Sequence, residues 1–179
     1  MDFQSLAPLG KKNVVSDTDL LGQVARFLDL DYAATGVKAV QSQQPVYARL
    51  VKNTSGGALT PGAVVFPGNE LGACRDVGGE AVSGTTLGCG VVDPWLNSVA
   101  DDDIFWLIYS GPCKFQFTTG TTLAIGQPLA LGAAGRVVDL PEGSLSDQLI
   151  VDRCGRADQA VASGTASDTL FRGIADFRI

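Results

Sequence analysis

From Val46 onward the sequence is divided into short apolar segments separated by turns, and this division constrains the fold more than any other feature. The turns are rich in glycine and proline, of which the chain has 22 and 8. Segments of strand length with turn signals about every ten residues are typical of a β-sandwich or β-barrel. The predicted strands are 46–51, 63–66, 72–75, 86–92, 104–110, 114–118, 128–131, 136–140, 149–157 and 170–179.

Two of these segments show how the sheet should be buried. Residues Lys114–Phe117 alternate polar and apolar, which predicts one face in the core and one in water. Residues Ile104–Tyr109 are apolar throughout, so both faces of this strand should be covered. Such a strand is either central in the protein or pressed against a partner.

The first 45 residues or so have a different pattern. Phe3–Asn13 mixes apolar residues with proline and glycine and is predicted to form an extended arm. Ser16 can cap a helix, and the apolar residues that follow have helical spacing, which predicts a short amphipathic helix from about Asp17 to Asp29. The polar run Gln41–Pro45 is predicted to be a linker.

The predicted architecture is therefore all-β: a compact β-barrel or sandwich with an N-terminal extended arm and one short amphipathic helix. The arm and helix occupy residues 1–45 and the β-domain occupies residues 46–179. The apolar stripe of the helix should pack either on its own β-domain or on a neighbouring subunit.

Composition argues against an enzyme. The chain has no histidine, which removes His-based catalytic triads, His zinc sites and His general bases. No phosphate-binding loop and no G-x-S-x-G motif occurs, so the sequence predicts neither catalysis nor a cofactor. Without histidine, we expect a flat stability profile from about pH 6 to 8.

Cysteine spacing and net charge argue against further kinds of site and partner. The four cysteines form no C-x-x-C pair, so they are predicted to be buried, reduced thiols rather than metal ligands. With 13 Lys+Arg against 19 Asp+Glu, the net charge of −6 disfavours nucleic acid as a partner. No secretion signal and no apolar run of membrane-span length is visible, so the chain is expected to be made in the cytosol and to stay soluble.

Acidic residues offer two weaker candidates for chemistry. The run Asp101–Asp103 could bind Ca²⁺ or Mg²⁺, but adjacent loop residues rarely all point inward, and a solvated turn is favoured. Asp93, which lies near Trp95, or Glu80 could belong to a glycosidase pair, yet nothing in the sequence places two carboxylates opposite each other. We therefore predict neither a metal site nor a hydrolase.

A recurring sequence pattern of strands and glycine-containing turns resembles that of a known protein family. Val46–Val65 consists of a predicted strand, a turn at Asn53-Thr54-Ser55-Gly56, and a Leu-x-x-Gly-x-x-Val entry into a second strand. Related phrases occur at Gly88–Asp93 and Leu123–Gly132. Over about Val46 to Leu140 this order resembles the small β-barrel capsid decoration, or cement, proteins of tailed bacteriophages. The tripeptide Asn53-Thr54-Ser55 also matches a glycosylation sequon, but without a secretion signal it is predicted to be a turn.

The resemblance implies a structural role without catalysis. Decoration proteins are typically trimers that bind major capsid protein subunits on the outer surface of the head, which implies a virion location and synthesis in the host cytoplasm. The alternative is a glycan- or receptor-binding β module of a tail fibre or baseplate. The predicted contacts with the capsid or a sister subunit are the apolar residues of the arm and helix, with Trp106 from the apolar strand: Phe3, Leu6, Leu9, Leu20, Leu21, Val24, Phe27, Leu28 and Trp106.

Overall fold

A computed structural model describes residues 8–13, 18–31, 39–69, 74–140, 153–162, 165 and 169–177, and these residues form a β-protein. The ten strands are β1 (Val24–Leu30), β2 (Val40–Asn53), β3 (Val64–Pro67), β4 (Asp76–Glu80), β5 (Gly90–Val92), β6 (Ile104–Phe115), β7 (Pro128–Leu131), β8 (Val137–Asp139), β9 (Arg153–Ala157) and β10 (Phe171–Asp176). The prediction of an all-β fold is confirmed. In this part of the chain, no helix is long and apolar enough to span a membrane.

The predicted amphipathic helix is wrong. Thr18–Leu20 forms a single 3₁₀ turn, and residues 24–29 of the predicted helix belong to strand β1. Its side chains alternate, so that Ala25 and Phe27 are buried while Val24 and Leu28 are exposed. Antiparallel pairing with β2, from Val24 opposite Arg49 onward, outweighs the local helical spacing of the apolar residues.

Strand β2 is longer than predicted. It begins at Val40, so the polar run that was predicted as a linker is its N-terminal part. This half of β2 pairs with β1, while residues 47–52 pair with β6 on the other side. The strand thus crosses position 45, where the boundary between arm and β-domain is predicted.

The ten strands belong to one sheet that closes partly on itself. The order of neighbours is β1-β2-β4-β3-β5-β6-β10-β9-β7-β8, and an additional β2–β6 pairing joins β2, β4, β3, β5 and β6 into a ring. Strands β10, β9, β7 and β8 continue outward from β6. Of these pairings only β2–β4 is parallel among the described strands. The architecture is therefore a large, partly closed sheet and not one clean barrel.

Strand β6 separates two hydrophobic cores. Ile104, Trp106 and Ile108 lie in the larger core, which also holds residues of β1, β7 and β10. Phe105 and Leu107 lie in the smaller core inside the ring, with side chains from β2, β3, β4 and β5. Of the two possibilities for this apolar strand, the structure shows the central one, because the chain itself buries both faces.

The turn after β2 lies at Asn53–Gly56, where the sequence predicts it. Asn53 is fully buried, and its side-chain amide donates to the carbonyls of Gly57, Val99 and Ala100 while its side-chain oxygen accepts from the Ser55 amide. The Asn53 side chain therefore fixes the turn, and the sequon motif has a structural use.

Candidate functional site

The described part of the N-terminal arm lies on its own domain. Leu9 is 1% exposed and belongs to the larger core. The Gly10 amide donates to Asp93 Oδ2 at 2.5 Å, and Lys12 Nζ lies 2.5 Å from Asp103 Oδ2. Asn13 adds a hydrogen bond to Asp103 and accepts the Ile104 amide at 2.8 Å. Residues 8–13 are therefore an internal strap rather than a free arm.

Asp93 anchors this strap with a buried carboxyl group. Its Oδ2 accepts the Gly10 amide, and its Oδ1 accepts the Trp95 amide at 3.0 Å. Burial raises the pKa of Asp93 to about 7, although the two backbone hydrogen bonds oppose the shift. Both carboxyl oxygens are thus engaged by backbone donors, and the group acts here as a structural acceptor.

The three consecutive aspartates point to different partners. Asp101 accepts the Gly56 amide at 3.0 Å, Asp102 pairs with Lys52 at 2.6 Å, and Asp103 pairs with the strap. Burial would raise the pKa of Asp103, but hydrogen bonds from Lys12, Asn13 and the Ala100 amide outweigh it and lower the pKa. Within the described ranges, no group of three or more potential metal ligands is found.

The predicted contact residues do not share one surface. Leu9, Phe27 and Trp106 are buried, and the rings of Phe27 and Trp106 meet edge to face at 5.1 Å. Leu20 and Leu21 are partly buried against the larger core. Val24 and Leu28 are exposed, at 41% and 57%. Phe3 and Leu6 lie outside the described residues.

The exposed apolar residues of the β1–β2 ladder form the candidate site. Val24 and Leu28 lie on the outer face of β1, and Val40, 62% exposed, lies at the start of β2 opposite Leu30. We call Val24, Leu28 and Val40 the β1–β2 strip. In the strand order β1 is terminal, so the strip lies at one end of the sheet. The sequence prediction missed Val40, which directly precedes the polar run Gln41–Pro45 that is predicted to be a linker.

A groove adjoins the strip on the same sheet. It has a volume of about 420 Å³ and runs from Pro45 and Tyr47 on β2 past Gly111 to Ile174 and Arg156. Pro45 lies directly opposite Leu28 in the ladder, so groove and strip are continuous. At its β2 end the rings of Tyr47 and Tyr109 lie 6.5 Å apart, and the Arg49 guanidinium lies 5.7 Å from the centre of the Tyr109 ring. The site offers apolar and aromatic surface with arginines beside it.

Comparisons with known proteins give a structural similarity of modest size. No protein-family model matches the sequence, and no curated protein matches it. Among solved structures, the chain is similar to the N base of the head fiber gp8.5 of bacteriophage phi29, with a TM-score of 0.47 and 12% sequence identity. The similarity covers 73% of this chain and 94% of that chain.

Proposed function

We propose that this chain is a structural protein of a tailed-phage virion that decorates the outside of the head. In this proposal it acts as a homotrimer, binds the major capsid protein, and needs neither catalysis nor a cofactor. The Gly-turn phrases over Val46–Leu140, which resemble those of decoration proteins, support it. The observation that carries it is the exposed β1–β2 strip beside an aromatic groove.

The strip has the chemistry of a protein contact. Burying a fully exposed Val or Leu side chain is worth about 1.5–3 kcal/mol. Val24, Leu28 and Val40 are 41%, 57% and 62% exposed, so covering all three can supply about 2–5 kcal/mol of docking energy. Aromatic and arginine side chains are the types that interface centres favour, and Tyr47 and Arg49 adjoin the strip on β2.

Charge indicates what the partner surface should look like. Although the chain has a net charge of −6, Arg26 and Arg49 lie on the same face as Val24 and Leu28, and Arg156 lines the groove. Of the groove's residues, Asp176 carries the opposite charge. We therefore assign the strip to an apolar surface of the major capsid protein that is rimmed by carboxylates.

Co-sedimentation tests the proposal, using heads assembled from the major capsid protein encoded in the same genome as this chain. Replacing Leu28→Asp places a charge in the strip, and we expect binding to weaken at least about tenfold. Ile125→Asp is the matched control, because Ile125 is apolar and 72% exposed but lies in the turn before β7. Equal sedimentation of wild type and L28D would contradict the proposed docking face.

The oligomeric state is tested separately. Light scattering on the purified chain should give three times the monomer mass of 18.6 kDa. A monomer or dimer at the concentrations used for head binding would remove the trimer from the proposal while leaving the docking face to its own test.

The groove supports a second candidate, a glycan-binding module. Tyr47 can stack on a sugar ring, and Gln44, Arg156 and Asp176 supply polar groups along the same groove. This candidate predicts oligosaccharide binding on a glycan array that Tyr47→Ala abolishes. If head binding depends on Leu28 and the array shows no bound glycan, the results favour the decoration protein over the glycan-binding module.

A further inference from the structure

Three arginines share the outer face of strands β9, β7 and β8, and we call them the arginine row: Arg136, Arg153 and Arg156. Two of them lie on β9, opposite Ala130 and Pro128 of β7. The third precedes β8, and its carbonyl accepts the amide of Gly132 at 2.7 Å. Because Pro128, Ala130 and Gly132 are alternate positions of one segment, the three arginines lie on the same face, about 7 Å apart along the strand direction.

The opposite face of the same strands is buried in the larger core. Leu129 and Leu131 of β7 belong to that core, as does Cys154, which directly follows Arg153. The row therefore lies on the side away from this core, where Arg156 is exposed and Arg153 is half-buried. It forms a cationic surface of the protein.

The arginine row has no anionic partner among the described residues. The four ion pairs in that part of the chain do not include it. The Nε atoms of Arg136 and Arg153 are buried and have no hydrogen-bond acceptor there. Asp176 of β10, two residues after the position opposite Arg156, reaches the same face, so three positive charges stand against one negative charge. Carboxylates bind arginine through two parallel hydrogen bonds, so this face fits an acidic partner.

An acidic surface lies elsewhere on the same chain, at the turn after β2. Three carboxylates surround this turn, and we call them the acidic cluster: Asp76, Asp101 and Asp102. The first accepts the Thr54 hydroxyl at 3.5 Å, and the second accepts the Gly56 amide at 3.0 Å. The third pairs with Lys52 at 2.6 Å, which neutralises one of the three charges. Arg75 directly precedes Asp76 in extended chain, so these two side chains point to opposite sides.

The row and the cluster lie on different parts of the sheet. The cluster borders β2 and β4, which belong to the ring, whereas the row lies on strands that continue outward from β6 and β10. One copy therefore presents the two surfaces at different places. A contact between two unlike surfaces is heterologous, and three such contacts close a ring when each rotates the next copy by a third of a turn.

We propose that the arginine row binds the acidic cluster of a second copy of this chain, and that three such contacts hold the trimer together. The inference rests on the homotrimer of the proposed function and adds the surfaces that build it. Copies with a net charge of −6 repel each other at long range, so a cationic face is where an acidic neighbour is attracted. The β1–β2 strip belongs to neither surface and stays available for the capsid.

Charge reversal on the full chain tests the contact, with the mass measured by light scattering across a dilution series. Arg153→Glu places a carboxylate against the acidic cluster, and the trimer should dissociate at a concentration at least about tenfold higher than that of the wild type. Lys11→Glu is the matched control, because it makes the same charge change at an exposed residue of the strap and should leave the mass unchanged. Adding Asp101→Lys to Arg153→Glu restores an attractive pair and should recover trimer.

Salt provides a second measurement on the unaltered chain. Raising the NaCl concentration from about 0.1 to 1 M shortens the Debye length from about 10 to 3 Å. A contact between charges weakens under this screening, whereas an apolar contact does not, so the wild-type trimer should dissociate at higher protein concentration in 1 M salt. The salt series decides the question even if Arg153→Glu fails to fold.

Three results would overturn the inference while leaving the proposed trimer intact. The first is a trimer that tolerates Arg153→Glu as well as it tolerates Lys11→Glu. The second is a trimer whose dissociation does not respond to salt. The third is a combined variant that assembles no better than Arg153→Glu alone, since the acidic cluster would then not be the partner. A monomeric wild type would instead remove the trimer of the proposed function, and this contact with it.

Discussion

Asp29 lies on the buried side of β1, where Arg172 of β10 neutralises it. The aspartate is 2% exposed, and the guanidinium of Arg172 bonds to Asp29, Asp158 and Gln41 at once. The inward face of β1 thus contains a charge, while two apolar residues of the same strand face outward. An interpretation that places apolar residues inside and charges outside therefore predicts a helix here instead of a strand.

Removing Arg172 should be far more costly than removing an exposed arginine. Arg172→Met leaves the Asp29 carboxylate buried and unpaired, and we expect it to reduce the free energy of unfolding by about 3–5 kcal/mol. Arg26→Met, on the exposed face of β1, should change it by less than about 0.5 kcal/mol. Urea denaturation measures both, and equal losses would refute the importance of the buried pair.

Asp93 should make the stability of the protein depend on pH between about pH 6 and 8, where the absence of histidine predicts a flat profile. Its pKa of about 7 lies inside that window. The folded pKa exceeds the ordinary aspartate pKa of 3.8, so the folded state binds more protons between these values. The stability associated with the neutral carboxyl group is therefore complete below about pH 4 and is lost as the pH rises to about 7. Linkage gives a total of about 4 kcal/mol.

Asp93→Asn tests this dependence, because the amide stays neutral at every pH. Between pH 5 and 8 we expect the wild type to lose about 2–3 kcal/mol more unfolding free energy than the variant. The introduced amide would leave one backbone donor poorly paired and lower stability overall, so the difference in pH slope is the relevant quantity. Parallel slopes for the two proteins would contradict the assignment.

At the scale of elements, Gly111 permits the contact between β2 and β6. It has a φ of +99°, and a Cβ there would lie 2.2 Å from the Pro45 carbonyl oxygen. Gly111→Ala should therefore destabilise the protein by more than about 2 kcal/mol.

Gly120→Ala is the control: its φ is +86°, but its Cβ would meet none of the described atoms within 4 Å, so only backbone strain of about 1 kcal/mol is expected. Thermal denaturation distinguishes the contact from the strain, and equal costs would argue against the contact.

Several strands could be predicted because their own residues form apolar runs of strand length. Pro128–Leu131 is predicted and observed with the same bounds, and the apolar run from Ile104 is central, as one of its two interpretations required. The sequence predicts a strand at 72–75, whereas β4 is Asp76–Glu80, because two glycines and two acidic residues give that segment no strand character. It forms where β2 and β3 supply hydrogen-bonding partners, which a local pattern does not show.

At the scale of the whole molecule, the two cores share β6 as their common wall. Trp106 lies on the side of the larger core and is 1% exposed, so its size serves packing within this chain. The sequence identifies the apolar residues, but it does not show which of them are buried in a core and which are exposed on the surface. That division depends on long-range pairing, as Val24 and Leu28 show: they are exposed because β1 pairs with β2.

The central claim is that the β1–β2 strip faces the phage shell. A cryo-electron microscopy reconstruction of decorated heads tests it most directly, since it shows the orientation of the bound chain. We predict three copies around each site, with Val24, Leu28 and Val40 against the major capsid protein. A reconstruction in which β1 faces solvent and another surface contacts the shell would contradict the account.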